Sequence, residues 1–176
     1  ALFAEKAITR IGAMRIHVAT DHAGLDFSQQ LQEHLREQGH EVIDHGPESY
    51  DALDDYPSFC INAALGVARD ERAGVEALGV VFGGSGNGEQ MAANKVKGIR
   101  AALVWNESTA ELAREHNSAN VISIGARQHT VDEAIRFIDL FISTPFPGDE
   151  RHVRRIAQLG EYERTGAIVG KHVDEL

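Results

Sequence analysis

The sequence predicts an α/β protein, a three-layer doubly wound parallel sheet with helices on both faces. Two observations carry this. Short β-branched runs alternate with longer segments of helical periodicity along the whole chain, the pattern of βα units joined by right-handed crossovers. One run, Leu78–Phe82 (L-G-V-V-F), is apolar throughout, as expected of a central strand covered on both faces.

In order, Arg15–Thr20 (R-I-H-V-A-T) reads as the first strand and ends in D-H-A-G. Leu25, Leu31 and Leu35 recur near helical spacing until Gly39 stops the helix. Glu41–Asp44 is a short second strand, followed by an acidic loop over Gly46–Pro57. Pro57 suits a helix start, and Phe59–Arg69 continues that helix. Leu78–Phe82 is the third strand; it runs into Gly83–Gly88, and a helix resumes over Glu89–Lys95. Arg100–Val104 is the fourth strand, Glu107–His116 the fourth helix and Val121–Ile124 the fifth strand. Helices at Val131–Ser143 and, in extended form, Asp149–Thr165 close the pattern. The expected organisation is an N-terminal extension or cloning remnant over 1–13, one domain over 14–165 and a tail over 166–176.

Composition narrows the function. The 176 residues carry a formal charge of −10, with 43% hydrophobic and 25% charged residues. These are ordinary globular proportions, and the acidic balance disfavours nucleic acid as a partner. A small anionic substrate needs only a local cluster of cations. No uncharged run reaches the ~18 residues of a membrane span. The single cysteine, Cys60, lies on the apolar face of a helix pattern and reads as packing; a reducing cytoplasm is the expected location. The nine histidines contain no H-x-x-x-H pair and Cys60 has no CxxC partner. No metal or other cofactor is expected.

Ligands of such sheets sit beyond the carboxyl ends of the strands. Three polar groups fall there: Asp21 and His22, Gly83–Glu89, and Gly125–Arg127. The segment V-V-F-G-G-S-G-N-G-E-Q places glycines 83, 84, 86 and 88 between strand and helix. Such a loop brings backbone N–H groups close to an anion or a developing oxyanion. Its spacing does not fit the dinucleotide fingerprint, and where the nucleotide-hydrolase loop demands Lys it has Glu89. A carboxylate beside a nest of N–H donors is instead the pairing an enediolate intermediate requires. Glu89 equally suits a first-turn acid favouring the helix dipole. The helix terminus lowers its pKa and burial raises it, and the residues alone leave the sign open.

The remaining candidates have two readings each. Asp21 and His22 suit a helix cap with a surface histidine, or a ligand contact. His116 and Asn117 end a helix, where a histidine also complements the dipole. Arg151 and Arg155 share a helical face at i, i+4. That face is either solvated or a phosphate clamp, which Arg127 could join.

The motifs D-H-A-G (21–24), D-Y-P (55–57), G-G-S-G-N-G-E (83–89), A-A-N-K (92–95), G-I-R-A (98–101), A-R-E-H-N (113–117), I-G-A-R (124–127) and R-H-V-R-R-I (151–156) together resemble the ribose-5-phosphate isomerase B and galactose-6-phosphate isomerase family. The resemblance implies a five-stranded sheet of order 2-1-3-4-5. It also implies a metal-independent aldose–ketose isomerase of the pentose phosphate pathway acting on ribose 5-phosphate, or a relative acting on a six-carbon sugar phosphate. A non-catalytic sugar-phosphate sensor is disfavoured by the retained carboxylate.

By the same resemblance, Glu89, His116 and Ser85 are catalytic. Asp21, His22, Gly84, Ser85, Gly86, Asn87, Gly88, Asn117, Arg127, Arg151 and Arg155 bind substrate. His116 assists ring opening, and some arginines reach across a homodimer, which itself can pair into a tetramer. Many family members have a catalytic cysteine where this chain has Gly83. A second branch, similar to the actinobacterial enzymes, uses the glutamate of G-G-S-G-N-G-E, and this chain matches it.

Overall fold

The computed structural model describes residues 12–170. The expected N-terminal extension, up to residue 11, and the last residues of the tail lie outside the described residues. In chain order the elements are β1 (Arg15–Ala19), a 3-10 turn (His22–Gly24), α1 (Leu25–Glu37), β2 (Glu41–Asp44), α2 (Tyr56–Arg72) and β3 (Ala77–Gly83). Then follow α3 (Asn87–Ala93), β4 (Ala101–Leu103), α4 (Glu107–Glu115), β5 (Val121–Gly125), α5 (Val131–Ser143) and α6 (Glu150–Thr165). No helix among these residues is long and apolar enough to cross a membrane.

All strand pairs are parallel. Helices cover both faces of the sheet. Residues 16, 18, 78, 80, 82, 122 and 124 pack with α1, α4 and α5. The alternate positions 19, 81 and 121 pack with α2 and α3, the period-two alternation of a pleated sheet. β3 is buried along its whole length, as its unbroken apolar run predicts.

The strand order is β2-β1-β3-β5-β4, so the expected 2-1-3-4-5 is corrected at one edge. β5 is buried at every residue and sits inside the sheet, whereas the three residues of β4 form an edge. Crossover handedness accounts for the helix placement. The chain steps outward from β3 to β4 through α3 on one face and returns inward to β5. A right-handed connection in the reverse direction must put α4 on the opposite face, where it packs beside α5.

Element ends have local causes. Capping boxes start α4 (Asn106 with Thr109) and α5 (Thr130 with Glu133). α3 stops two residues earlier than its periodicity suggests. Asn94 turns its side chain to β4, accepting from the N–H of Ala101 at 2.8 Å and donating to the Ala101 carbonyl at 3.0 Å.

Beneath β1 lies a buried polar network. His17 Nε2 meets Asp70 Oδ2 at 2.6 Å, His17 Nδ1 meets His45 Nε2 at 2.8 Å, and Arg15 donates to Asp70 at 2.9 Å. Gly66 makes room for it, since a Cβ there would strike the His17 ring. Burial, followed by repulsion from His17, pushes the pKa of His45 down. Burial raises that of Asp70, but bonds from His17 and Arg15 outweigh it and leave the carboxyl below its ordinary value.

Both depressed groups stabilise the fold at neutral pH and lose that contribution in acid. The thermal midpoint should therefore begin to fall below about pH 6.5, where the unfolded chain's histidines protonate, and fall again when Asp70 titrates. His45→Gln should flatten the first step, as read by melting curves across pH.

Candidate active site

The carboxyl ends of β1 and β3 bring the first group of candidates together. β3 runs into the glycine loop, and Gly86, at φ 83°, starts α3 from a left-handed conformation that an L side chain resists. A Cβ at Gly86 would also press on Leu103 and on the β5 backbone at Ile124 and Gly125. The loop is stitched to β5 and the turn after it: Ser123 Oγ donates to the Gly86 carbonyl at 2.7 Å, and the N–H groups of Ala126 and Arg127 donate to Gly83 and Gly84. Ser85 Oγ accepts from the N–H of Asn87 at 3.2 Å. The N–H groups of Ser85, Gly86 and Gly88 make no backbone bond among the described contacts, which leaves them available to an oxyanion.

Glu89 is 4% exposed. Its carboxylate lies where a Cβ on residue 83 would be, so the absence of a side chain at Gly83 is what admits it. Burial, reinforced by the nearby Asp21, raises the Glu89 pKa; the residue's own backbone N–H opposes this and does not prevail. The sign left open by the sequence is thus set by desolvation. Cys60 is fully buried, and burial together with Glu89 and Asp21 pushes its thiol far up. It is not a nucleophile.

Asp21 caps the turn after β1 by accepting from the Ala23 N–H at 2.8 Å, so its capping reading holds. Its neighbour His22 contacts Asp54, Nδ1 to Oδ1, at 2.7 Å. Asp21, His22 and Asp54 offer ligand atoms within 4.8 Å of one another, a grouping that no local spacing could reveal. Arg127 is exposed, and its guanidinium lies over Gly84, with the glycine loop rather than with the other arginines. Tyr56 packs its ring against Gly88 where a Cβ would otherwise sit. Asp54 and Tyr56 escaped the sequence reading, although both stand in or beside the D-Y-P motif.

The second group lies elsewhere. His116 caps the end of α4 and Asn117 follows it, so both precede β5 at the amino edge of the sheet. The Asn117 carbonyl accepts from Arg100, which immediately precedes β4. The length of β5, roughly 13 Å at strand rise, separates this edge from the glycine loop. The His116 ring stacks on His152 of α6, centroids 4.3 Å apart and planes 17° apart. His152 is buried, and burial, then His116 and Arg151, lower its pKa. A neutral His152 can accept the Arg151 Nε–H at 3.2 Å. Arg155 is exposed without a hydrogen-bond partner among the described residues. One chain therefore holds the glycine loop, Glu89, Asp21, His22 and Arg127 at one edge, and His116, Asn117, Arg151 and Arg155 near the other.

Comparison with known proteins gives the family. The Ribose/Galactose Isomerase family model matches residues 16–159. The ribose-5-phosphate isomerase B of Mycolicibacterium paratuberculosis is 55% identical over 152 residues, 86% of this chain and 93% of the relative. That of Mycobacterium tuberculosis is 54% identical over 155 residues, 88% and 93%. Among solved structures, ribose-5-phosphate isomerase B of Mycoplasma genitalium with bound ribulose-5-phosphate is similar with a TM-score of 0.82 and 42% identity, covering 86% of this chain and 97% of that one. The Trypanosoma cruzi type B enzyme gives 0.81 and 37%, covering 89% and 100%. With the glycine loop, its buried glutamate and the motifs around them matched from β1 into α6, the chain belongs to the Ribose/Galactose Isomerase family.

Proposed function

We propose that this chain is a cytoplasmic aldose–ketose isomerase that interconverts D-ribose 5-phosphate and D-ribulose 5-phosphate. The observation that carries the reading is the Glu89 carboxylate, buried in the space left by Gly83 and next to a loop whose Ser85, Gly86 and Gly88 N–H groups make no backbone bond. Glu89 takes the C2 proton of the opened sugar and returns it to C1, while the O2 hydroxyl proton passes to O1, so that C2 becomes the carbonyl and C1 the alcohol. The N–H groups of the Gly84–Gly88 loop, with Ser85, hold the enediolate oxygen. A base needs a pKa near working pH, and the upward shift from burial moves Glu89 that way.

The active species is a homodimer. The loop edge is rich in carboxylates (Asp21, Asp54, Glu89), while the ring-opening His116, Asn117 and the arginines of α6 stand at the other edge. A second copy that brings its His116, Asn117, Arg151 and Arg155 against the first copy's loop completes the site, with Arg127 supplied locally. α6 supports this: His152 is its buried residue, while Val153, Leu159 and Tyr162 stay about half exposed or more. Large apolar side chains left exposed in this way mark an interaction surface.

Three outcomes test the reading. Glu89→Gln should abolish turnover of ribose 5-phosphate while leaving its binding largely intact. The same variant should melt higher than the parent, because it removes a buried charge whose raised pKa costs stability above the ordinary glutamate range. In the parent, the acid limb of kcat/KM should lie above that range; a limb at the free glutamate value would remove Glu89 from the role.

Gly83→Ala, whose Cβ would take the space of the Glu89 carboxylate, should displace it and lose on the order of a hundredfold in kcat, the cost of misplacing a reacting group by about 1 Å. Retained activity would show that the position of Glu89 is not critical.

Finally, Glu89→Gln and Arg155→Ala subunits, each inactive or nearly so, should regain activity when mixed under verified subunit exchange, because hybrid dimers contain one site with both residues intact. No recovery would place Arg155 in its own chain's site, or in none.

A further inference from the structure

We propose that Asp54 is the positioning residue of His22: its carboxylate holds the imidazole as the Nδ1–H donor, so that Nε2 is the nitrogen presented to the sugar phosphate. The inference rests on the isomerase reading above and adds a residue to it. His22 sits in the turn after β1, and Asp54 approaches from the loop before α2. Two donors of His22 converge on one oxygen of Asp54: Nδ1 at 2.7 Å and the backbone N–H at 3.3 Å from Oδ1. The Asp54 side chain is 8% exposed and that of His22 is 23% exposed. The Tyr50 ring stands edge-on to the imidazole, 5.9 Å between centroids, at 90°. An ionised carboxylate can only accept, so the nitrogen facing it must carry hydrogen. Nε2 has no protein partner among the described contacts and is the free atom of the ring.

The second oxygen of Asp54, Oδ2, is buried and has no hydrogen-bond partner among the described residues. A buried carboxylate oxygen left unpaired is destabilising. Such an exception in an otherwise satisfied fold calls for a functional cause. Orientation of the histidine beside Asp21 supplies one.

Proton–nitrogen correlation spectra of the histidine rings, recorded at about pH 9 where imidazole is neutral, read the tautomer directly and need no turnover. In the parent, His22 should be the Nδ1–H form. Asp54→Ala should shift it to the Nε2–H form or a mixture, and should raise KM for ribose 5-phosphate on the order of tenfold, the worth of one hydrogen bond to a charged group, with a smaller change in kcat. Asp54→Asn should recover most of both effects. The backbone N–H of His22 selects the amide oxygen for the shared position, so Nδ1 keeps its acceptor.

An Nε2–H tautomer in the parent overturns the proposal, and that measurement stands even if Asp54→Ala fails to fold. An Asp54→Ala protein with an unchanged tautomer, or with a shifted tautomer and unchanged KM, overturns it too. Failure of the parent to isomerise ribose 5-phosphate would instead count against the isomerase reading, and the tautomer spectra would still decide the role of Asp54.

Discussion

The site depends on a missing side chain. At the carboxyl end of β3, Gly83 leaves a hole the size of a Cβ and more, and the Glu89 carboxylate fills it. From that placement follow its burial, its raised pKa and its position beside the N–H groups of the loop. A carboxylate one turn into a helix would ordinarily face solvent and gain from the dipole. Here it is drawn back under the loop, where loss of water outweighs the dipole and its own backbone N–H. The fold bears that cost because the surrounding strand ends are rigid, each one paired on both sides except at β2 and β4.

How far the molecule was legible in its sequence depended on the range of the determining forces. The bounds of β2 and α5 and the nature of every element follow from local periodicity and caps such as Thr130 with Glu133. The strand order does not, because whether α4 covers one face or the other leaves the same amphipathic pattern in E-S-T-A-E-L-A-R-E. The full burial of V-I-S-I-G was the available signal for an inner β5. Likewise, the glycine loop and Glu89 stand out within a few residues of each other, whereas the His22–Asp54 contact spans 32 positions and is created by the return of β2 to the side of β1. The direction of the Glu89 shift needed the hole at Gly83, which is a fact about volume rather than spacing.

The separation of the two residue groups has the same origin. Helices of a doubly wound fold run antiparallel to their strands, so residues just after a strand and residues at the end of the next helix necessarily lie at opposite edges. Motifs such as D-H-A-G and E-H-N, which the family pattern assigns to one site, are therefore held apart by the architecture of one chain. The stack of His116 on His152 ties the end of α4 to the start of α6, so that the second group is itself organised as a unit rather than scattered over the surface.

The inner position of β5 also bears on the energetics of the chemical step. Because β5 neighbours β3, the glycine loop is fastened along one side by Ser123, Ala126 and Arg127, which holds its dipoles in place without any substrate. Had the three-residue β4 occupied that place, the loop would have faced a frayed edge and its amides would have had to turn as charge developed. In the proposed mechanism, the reorganisation that solvent must undergo around an enediolate in water is completed here during folding, and it recurs in no catalytic cycle.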